Sequence, residues 1–242
     1  MADAAFEHPR LATVYDALEA ERRDLDVYAG IAEELGARRI LDVGCGTGTF
    51  ALLLAARGLE VTAVDPAGAS LDVARSKRGA ESVRWIHGDA TALPPLQVDL
   101  ATMTGNVAQA IVERTNWLAT LRAVLEALHP EGRLVFETRD PRKEAWREWN
   151  LAESYRVIDV DGVGPVEHWV ELTNVSGPLV SFRGSWVFAA DGELLTSDST
   201  LRFRDPDEVR ADLTESGFLL EAVRDAPDRP GREFVFFAQL AE

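Results

Sequence analysis

The sequence predicts an α/β fold with a mostly parallel sheet, helices on both faces of that sheet, and an inserted antiparallel β meander. Two observations support this prediction. Short apolar runs typical of strands alternate with segments of helical periodicity between residues 38 and 138. Residues 153–204 then contain successive β-rich runs separated by Gly-containing turns, a pattern typical of antiparallel hairpins.

The elements follow one another in a regular order. Helical spacing predicts two helices within residues 10–35. The next predicted strands are "RRILDV", "EVTAVD", "VRWIHGD", "VDLATM" and "RLVFET". The helices predicted between them are "TFALLLAARG", "AGASLDVARSK" and "ERTNWLATLRAVLEALHPEG", the last ending at Pro130 and Gly132. After the meander, "DPDEVRADLTESG" predicts a capped helix, and "FLLEAVRD" and "REFVFFAQL" predict two final strands.

These patterns divide the chain into three predicted parts. Residues 1–37 form an N-terminal helical segment, residues 38–150 and 205–242 form the α/β domain, and residues 151–204 form the inserted β subdomain. The change from alternating strands and helices to consecutive strands marks the start of the insert.

Composition limits the function classes. The 242 residues include 41 acidic and 25 basic side chains, a formal net charge of −16. Such a field repels nucleic acid and anionic membranes, so neither is an expected partner. The single cysteine, Cys45, excludes an intrachain disulfide, and the N-terminus lacks the apolar stretch of a secretory signal. A cytoplasmic location is therefore expected, and no metal site is predicted.

The segment "LDVGCGTGTF", residues 41–50, predicts a site of close backbone approach to a ligand. Gly44, Gly46 and Gly48 lie between a predicted strand and a predicted helix. A nicotinamide fingerprint would carry glycine at the position of Thr49, and a phosphate-binding P-loop would end in Gly-Lys-Ser/Thr. The three glycines by themselves also fit an ordinary tight turn, so their ligand depends on the segments that follow.

Acidic residues follow two further strands. Asp65 ends the second predicted strand, where a carboxylate is able to accept hydrogen bonds from both hydroxyls of a ribose. Asp89 comes just after the third. Open parallel sheets bind ligands at the carboxyl ends of their strands, so the glycines and both acids are expected at one edge.

Four segments in order, "LDVGCGTG", "VTAVDPAGASLDVAR", "WIHGDATALP" and "VDLATMTGN", resemble the cofactor motifs of class I S-adenosylmethionine-dependent methyltransferases. The resemblance covers residues 38–138. It implies a Rossmann-like, seven-stranded methyltransferase sheet. It also implies S-adenosylmethionine as methyl donor, S-adenosylhomocysteine as product, and a nucleophilic acceptor. The fourth strand ends in "MTGN" and lacks the Asp/Asn-Pro-Pro-Tyr/Phe motif of DNA and some protein nitrogen methyltransferases, which argues against nucleobase amino groups and glutamine amides as acceptors.

The resemblance also implies site residues. The expected cofactor contacts are Asp42, Gly44, Gly46 and Gly48 at the methionine part, Asp65 at the ribose, Pro66, Asp89 and Ala90 at the adenine, and Thr104, Gly105 and Asn106 near the reactive methyl. Helices before the first motif often form a lid in this superfamily. The candidates in that lid are Tyr15, Arg23 and Tyr28.

The acceptor site is expected in the variable part of the chain, after the fifth strand and in the meander. The candidate acceptor contacts are Arg139, Trp146, Trp149, Trp169, Arg183 and Trp186. The catalytic residue stays open, with His168 and Asn106 as candidates. The segment "FETRDPRKEAWREW" also contains Glu137, to which the sequence assigns no separate role. In this superfamily an inserted sheet either roofs the site or mediates a homodimer.

The first functional expectation is methyl transfer to nitrogen or oxygen of a small molecule. It follows from the acidic net charge, the aromatic-rich insert and the lack of an appended nucleic-acid module. Two alternatives stay open: a methyltransferase acting on RNA or protein, and a cofactor-binding regulator without catalysis. A nicotinamide oxidoreductase is disfavoured by Thr49 and by the later motifs.

Overall fold

The computed structural model describes residues 2–19, 22 and 24–241. The helices are α1 (Ala4–Glu7), α2 (Pro9–Leu18), α3 (Asp24–Glu34), α4 (Thr49–Ala56), α5 (Gly68–Ser76), α6 (Val107–Ala110), α7 (Arg114–Ala127), α8 (Leu151–Ser154) and α9 (Pro206–Glu215). The strands are β1 (Arg39–Val43), β2 (Glu60–Asp65), β3 (Val83–His87), β4 (Val98–Met103), β5 (Leu128–Arg139), β6 (Arg156–Val160), β7 (Gly164–Ser176), β8 (Leu179–Phe188), β9 (Leu194–Arg202), β10 (Phe218–Asp225) and β11 (Glu233–Leu240).

In the described residues, seven strands form one sheet in the order β10-β11-β5-β4-β1-β2-β3. Strands β1 to β5 pair in parallel, whereas β11 pairs antiparallel with both β5 and β10. The chain runs outward from β1 to β3, then crosses back to β4 on the other side of β1. This reversal opens a crevice between the carboxyl ends of β1 and β4, the place where open α/β sheets bind ligands. The predicted α/β fold is confirmed.

Each face of the sheet is covered by its own set of helices. On one face, α7 and α9 bury Trp117 against Phe136 of β5, with ring centroids 5.5 Å apart. On the other face, which we call the α3 face, α3 and α4 pack against β-strand residues such as Ile40 and Val135. Burial of these apolar side chains on both faces is the main stabilising contribution to the fold.

The predicted helix 113–132 is shorter than expected. It ends at Ala127, and the segment with Pro130 and Gly132 belongs to β5. A Cβ at Gly132 would lie 2.9 Å from the carbonyl oxygen of His129 and 3.0 Å from that of Val98. The pairing of β4 with β5 shifts register beside this point. Glycine therefore permits a close chain crossing here, where the sequence pattern indicated only a helix stop.

The insert forms a four-stranded antiparallel sheet in the order β6-β7-β8-β9, as expected for a meander. Its inner face packs Val166, Trp186 and Phe188 against Leu11 and Val14 of α2. The insert thus lies over the N-terminal helices. None of the helices in the described ranges has both the length and the apolarity to cross a membrane.

A buried arginine joins the end of the insert to the α/β domain. Arg204, just after β9, is fully buried and donates from Nη1 to the Ala108 carbonyl and from Nη2 to the Ile111 carbonyl, both at 2.6 Å. Its guanidinium lies 4.7 Å from the Trp117 ring centroid. These contacts hold the C-terminal end of α6, the short helix that follows the carboxyl end of β4.

Candidate active site

The glycine loop after β1 adopts a left-handed backbone at three positions. The φ angles of Gly44, Gly46 and Gly48 are +73°, +53° and +77°. A Cβ at Gly44 would lie 2.5 Å from Val107, and a Cβ at Gly48 would lie 2.5 Å from the ring of Trp85. A Cβ at Gly46 would meet nothing within 4 Å. Close packing thus explains the outer two glycines, while the middle one presents backbone to open space, as a ligand cradle requires.

Asp65 joins this loop to the start of α5. Its Oδ2 accepts a hydrogen bond from the Gly46 amide at 2.7 Å, and its Oδ1 accepts from the Ala67 amide at 2.8 Å. Burial raises the pKa of Asp65, although the two amides act in the opposite direction. Each carboxylate oxygen has a second lone pair, so the side chain retains capacity for ribose hydroxyls.

Asp42 lies at the carboxyl end of β1, on the α3 face, with 1% of its surface exposed. Its Oδ1 accepts from the Thr102 hydroxyl at 3.2 Å, and its Oδ2 has no partner among the described residues. Burial raises the pKa of Asp42 to about 7; the charge of Asp65 adds to this, and Arg22 opposes it. A buried acceptor without a donor fits a ligand that brings an amino group, such as the methionine part of S-adenosylmethionine.

The residues expected at the adenine follow β2 and β3. Pro66 is exposed and its carbonyl lies 3.1 Å from His87 Nε2. Asp89 is exposed and accepts the Thr91 amide at 2.8 Å through Oδ1. Ala90 is buried at the start of a short 3-10 turn. These three residues lie at the same edge of the sheet as the glycine loop, as the strand order requires.

The turn after β4 contains Thr104, Gly105 and Asn106. Asn106 has a left-handed backbone, with φ +63°, and its buried Oδ1 has no partner in the described part of the chain. The amides of Gly105 and Asn106 donate to Glu137 Oε1 at 2.8 and 3.1 Å. Glu137 thereby fixes the turn beside the crevice. An acidic residue directly after an apolar run, as in "LVFE", is the sequence signal that could have singled it out.

Charged side chains collect between β5 and β11. Burial raises the pKa of Glu137 to about 7, and the nearby charge of Glu233 adds to this. Glu233 Oε1 lies 2.8 Å from Arg229 Nη1 and 3.6 Å from Arg139 Nε. Burial also lowers the pKa of Arg139. Arg139 therefore belongs to a buried ionic cluster next to the crevice.

The N-terminal segment, residues 2–19, is bound across the glycine loop and α5. Glu7 Oε2 accepts the Gly68 amide at 2.8 Å, and the Ser70 hydroxyl donates to the Phe6 carbonyl at 2.9 Å. Asp16 accepts from the hydroxyls of Thr47 and Thr49 and pairs with the Lys77 ammonium. Sequence reasoning missed Asp16 because its partners Thr47, Thr49 and Lys77 are distant in the chain. It also missed Arg22, which pairs with Asp24 and whose charge acts on the distant Asp42.

The three lid candidates have different surroundings. The Tyr15 ring packs on Phe6 at 5.6 Å, and burial followed by the charge of Glu19 raises the pKa of Tyr15 to about 12. Tyr28 is 1% exposed and meets Phe50 edge-on at 6.4 Å, so its placement in the core favours a packing role over the expected cofactor contact. Arg23 lies outside the described residues.

The aromatic candidates separate into two groups. Trp149 packs on Phe182 at 4.7 Å with Arg139 5.9 Å from its ring, and Trp146 packs on Phe203 at 4.6 Å. Trp186 is on the inner face of the insert. Strand alternation places Trp169 and Arg183 on the opposite, outer face, where they pair with Glu171 and Asp198. The structure does not bring these last two together with the crevice.

His168 lies on the inner face of the insert, stacked on Trp186 at 4.6 Å. Its Nδ1 lies 3.0 Å from the Ser185 carbonyl, so Nδ1 donates and Nε2 is the basic nitrogen. Burial lowers the pKa of His168 to about 4, although the Ser185 carbonyl opposes this shift. His168 is therefore neutral at physiological pH.

A separate groove of about 580 Å³ lies at the amino ends of the strands, lined by residues such as Arg39, Glu60 and Gln97. This is the edge opposite to the glycine loop. Open parallel sheets bind ligands at their carboxyl ends, and the unpartnered Asp42 and Asn106 oxygens are also at that edge. The crevice between β1 and β4 is therefore the candidate active site.

Replacing Asp42 by Asn should stabilise the ligand-free protein above neutral pH. Because the pKa of Asp42 is raised to about 7, the folded chain retains a proton that the unfolded chain releases near pH 4. Wild-type stability therefore falls as pH rises from about 4 to about 7. At about pH 8 the variant should unfold with a free energy higher by on the order of 3 kcal/mol, measured by urea unfolding.

Asp99→Asn is the control, because it should change the free energy of unfolding in the direction opposite to Asp42→Asn. Although burial acts to raise the pKa of Asp99, the Arg39 guanidinium and the amides of Arg38 and Arg39 lower it. Its charged form therefore stabilises the fold above the unfolded pKa, and that contribution is lost as pH falls. Asp99→Asn should reduce stability at about pH 8. Equal effects of both variants would contradict the assignment of Asp42 as a strained buried carboxylate.

Known proteins similar to this chain are methyltransferases. A family profile described as a methyltransferase domain matches residues 40–132. Malonyl-[acyl-carrier protein] O-methyltransferase of Serratia marcescens is 30% identical over 201 residues, which cover 81% of this chain and 70% of that enzyme. Cypemycin N-terminal methyltransferase of Streptomyces sp is 35% identical over 108 residues. That match covers 44% of each protein, so this chain spans less than half of the cypemycin enzyme.

A solved structure shares the fold over nearly the whole chain. The S-adenosylmethionine-bound amino pentose methyltransferase CalS10 of Micromonospora echinaspora superposes with a TM-score of 0.71 at 22% identity, covering 94% of this chain and 97% of that one. This likeness shows the fold. Together with the profile match and the Serratia relative, it completes the assignment: the chain belongs to the class I methyltransferases, enzymes whose cofactor is S-adenosylmethionine.

Proposed function

We propose that the protein transfers a methyl group from S-adenosylmethionine to nitrogen or oxygen of a small-molecule acceptor. The observation that carries this proposal is the position of the N-terminal segment, which contacts the glycine loop beside the crevice through Asp16 and also contacts the insert. The Ala5 amide donates to the Ser197 hydroxyl at 2.9 Å, and Arg10 pairs with Asp191 at 2.8 Å. A site that this segment covers, in a chain of net negative charge, favours a small molecule over RNA.

The crevice residues fit the cofactor. The open backbone of Gly46 and the unpartnered Asp42 Oδ2 suit its methionine part, Asp65 suits the ribose hydroxyls, and Pro66 with Asp89 suits the adenine. When bound, the cofactor supplies a methyl group already activated on a sulfonium. The chain's own contribution is then to align the two reactants and exclude water from the crevice.

The acceptor is proposed to lie on the β4–β5 side of the crevice. Arg139, at the end of β5, and Trp149, whose ring lies beside it, are the residues proposed to contact it, and Trp146 packs with Trp149 against Phe203. Asn106 Oδ1 is available to orient a donor group of the acceptor. The relatives include both an O-methyltransferase and an N-terminal methyltransferase, which supports oxygen or nitrogen as acceptor atom.

Residues 2–19 are proposed to act as a lid, within the N-terminal helical part predicted as residues 1–37. They hold the glycine loop through Asp16 and α5 through Glu7, and they also contact the insert. Cofactor exchange requires these contacts to open. The polar contacts are few and partly exposed, which suits a segment that opens without unfolding the domain.

A homodimer through the outer face of the insert is also proposed. Val157, Glu167, Val187 and Leu194 occupy one register row across the four strands, and Val157 and Leu194 are each 56% exposed. Exposed apolar side chains in one row favour burial against a second copy.

We also propose a cytoplasmic location and no nucleic-acid or membrane partner, which the acidic composition supports.

The first test is calorimetric titration with S-adenosylmethionine, S-adenosylhomocysteine and NAD. Binding of both sulfur compounds and not of NAD is expected. Asp65→Asn should weaken S-adenosylhomocysteine binding by roughly 1.5–3 kcal/mol, because hydrogen bonds from the ribose to a charged acceptor are lost. Asp72→Asn, an exposed change on α5, should leave affinity unchanged. Equal affinities for the two variants would contradict the ribose assignment.

The function itself is tested by release of S-adenosylhomocysteine in the presence of a panel of small amines, sugars, phenols and carboxylates. Turnover with a member of the panel is the expected result. Turnover with RNA or a peptide alone would contradict the small-molecule proposal. Tight cofactor binding with no turnover on any panel, RNA or peptide would favour the non-catalytic regulator.

Asp16→Asn should open the proposed lid. The change removes the charge that pairs with Lys77 and weakens the contacts to Thr47 and Thr49. Faster amide hydrogen exchange in residues 4–18 is expected, with slower exchange restored by S-adenosylhomocysteine. Asp3→Asn is the control, because Asp3 makes no side-chain cap at α1. Unchanged exchange in Asp16→Asn would argue that the segment is not latched by this residue.

Light scattering after size-exclusion chromatography tests the dimer. Wild type should elute with the mass of two chains, and Leu194→Glu should elute as a monomer because a charge would be buried in the interface. Leu219→Glu introduces the same charge on β10, where Leu219 is 53% exposed and distant from the insert, and should leave the dimer intact. A monomeric wild type would refute the proposal.

A further inference from the structure

Glu137 occupies a position that its role in the turn does not fully explain. It lies in β5, whose alternation puts Val135 and Glu137 on the α3 face of the sheet. Asp42 of β1 projects to the same face, as the burial of Ile40 there shows. Strand β4 separates β1 from β5. Glu137 therefore lies on the β4–β5 side of the crevice, where the acceptor is proposed to bind.

One oxygen of Glu137 is held and the other is not. Oε1 accepts both the Gly105 and the Asn106 amides, which fixes the carboxyl group against the β4 turn. None of the described residues donates to Oε2. A rigid carboxylate with one committed and one uncommitted oxygen resembles a group placed to act on a bound molecule.

The charged surroundings single out this carboxylate. Glu233 on β11 faces it and is paired with Arg229 and Arg139. Asp228 in the β10–β11 connection adds a further negative charge. No ion pair to Glu137 itself occurs within the described ranges. Burial and Glu233 raise its pKa to about 7, so it is a stronger base than an ordinary glutamate and remains largely ionised at mildly alkaline pH.

We propose that Glu137 is a catalytic residue whose Oε2 accepts the proton lost by the acceptor as its nitrogen or oxygen is methylated. In this step a bond forms between the acceptor atom and the methyl carbon, and the carbon–sulfur bond breaks with its electron pair remaining on sulfur. The acceptor's proton passes to Oε2, leaving neutral Glu137. This inference rests on the proposed function.

Glu137 is also a better candidate proton acceptor than His168 or Asn106. His168 is a weak base, because burial lowers its pKa to about 4. The amide of Asn106 does not accept a proton at physiological pH, so Asn106 serves at most to orient the acceptor. Of these three side chains, only Glu137 combines a raised pKa with an uncommitted oxygen beside the β4 turn.

The test uses two ligands that differ at the point of methyl transfer. Sinefungin carries a protonated amine on carbon where S-adenosylmethionine carries the methyl-bearing sulfonium, and S-adenosylhomocysteine carries only sulfur. If Oε2 faces this point, wild type binds sinefungin at least about tenfold more tightly than S-adenosylhomocysteine at about pH 8. Glu137→Gln retains an oxygen for the two amides and should lose that preference, with S-adenosylhomocysteine affinity unchanged within about twofold.

Glu221→Gln is the matched control, since Glu221 pairs with Arg133 at the other end of the sheet. It should retain the preference for sinefungin. A preference retained in Glu137→Gln would overturn the proposal. Failure of wild type to bind S-adenosylhomocysteine would instead refute the proposed function, and this inference with it.

Wild type alone provides a second measurement, should Glu137→Gln not fold. The preference for sinefungin should disappear as pH falls through about 7, because the carboxylate that pairs with the amine becomes protonated. Glu233, Asp228, Arg139 and Arg229 surround the group. The two arginines remain charged over this range. A preference that is independent of pH between about 5.5 and about 8.5 would overturn the proposal.

Discussion

The carboxylate of Asp65 is the contact on which the arrangement of the candidate site depends. It binds the amide of Gly46 in the glycine loop and the amide of Ala67 at the start of α5. These two segments in turn receive the N-terminal helices, through Asp16 on the loop and Glu7 on α5. One buried side chain thus determines the relative positions of the loop, the helix and the segment that covers them.

The site is built at a cost in stability. Asp42, Asp65 and Glu137 are carboxylates whose pKa values burial raises, so their charged forms are disfavoured in the folded state. The two apolar faces of the sheet offset this cost. Two of the unsatisfied polar atoms, Asp42 Oδ2 and Asn106 Oδ1, lie at the crevice, where a ligand would supply the missing partners. Such trade-offs between stability and function are common in enzymes.

Much of the fold could be predicted because its signals are local. The bounds of β2, β4 and β10 coincide with the apolar runs, and the glycines of the loop lie in the predicted turn between a strand and a helix. The helix 113–132 was misjudged at its end because the crossing at Gly132 depends on the carbonyl of Val98, which is remote in sequence.

The site was predicted less completely. Tyr28 has the same helical spacing as the core leucines. Periodicity therefore could not tell whether its ring packs in the core or contacts the cofactor from the lid. Trp169 and Arg183 alternate along their strands with residues of the inner face. Alternation assigns side chains to two faces, but it does not tell which face packs against the rest of the protein. The contacts of Asp16, and the amides and charges around Glu137, come from distant elements, for which a single sequence carries no signal.

The N-terminal segment contacts both the glycine loop and the insert. It lies on the glycine loop through Asp16, and it lies on the insert through Ala5 and Arg10. In the proposed enzyme, the two reactants would therefore share one cover. The ligand that binds first would bind less tightly, because part of its binding free energy is used to order the N-terminal segment. The second ligand would bind to a chain in which this segment is already ordered. By thermodynamic reciprocity, each reactant would then raise the affinity for the other by the same factor.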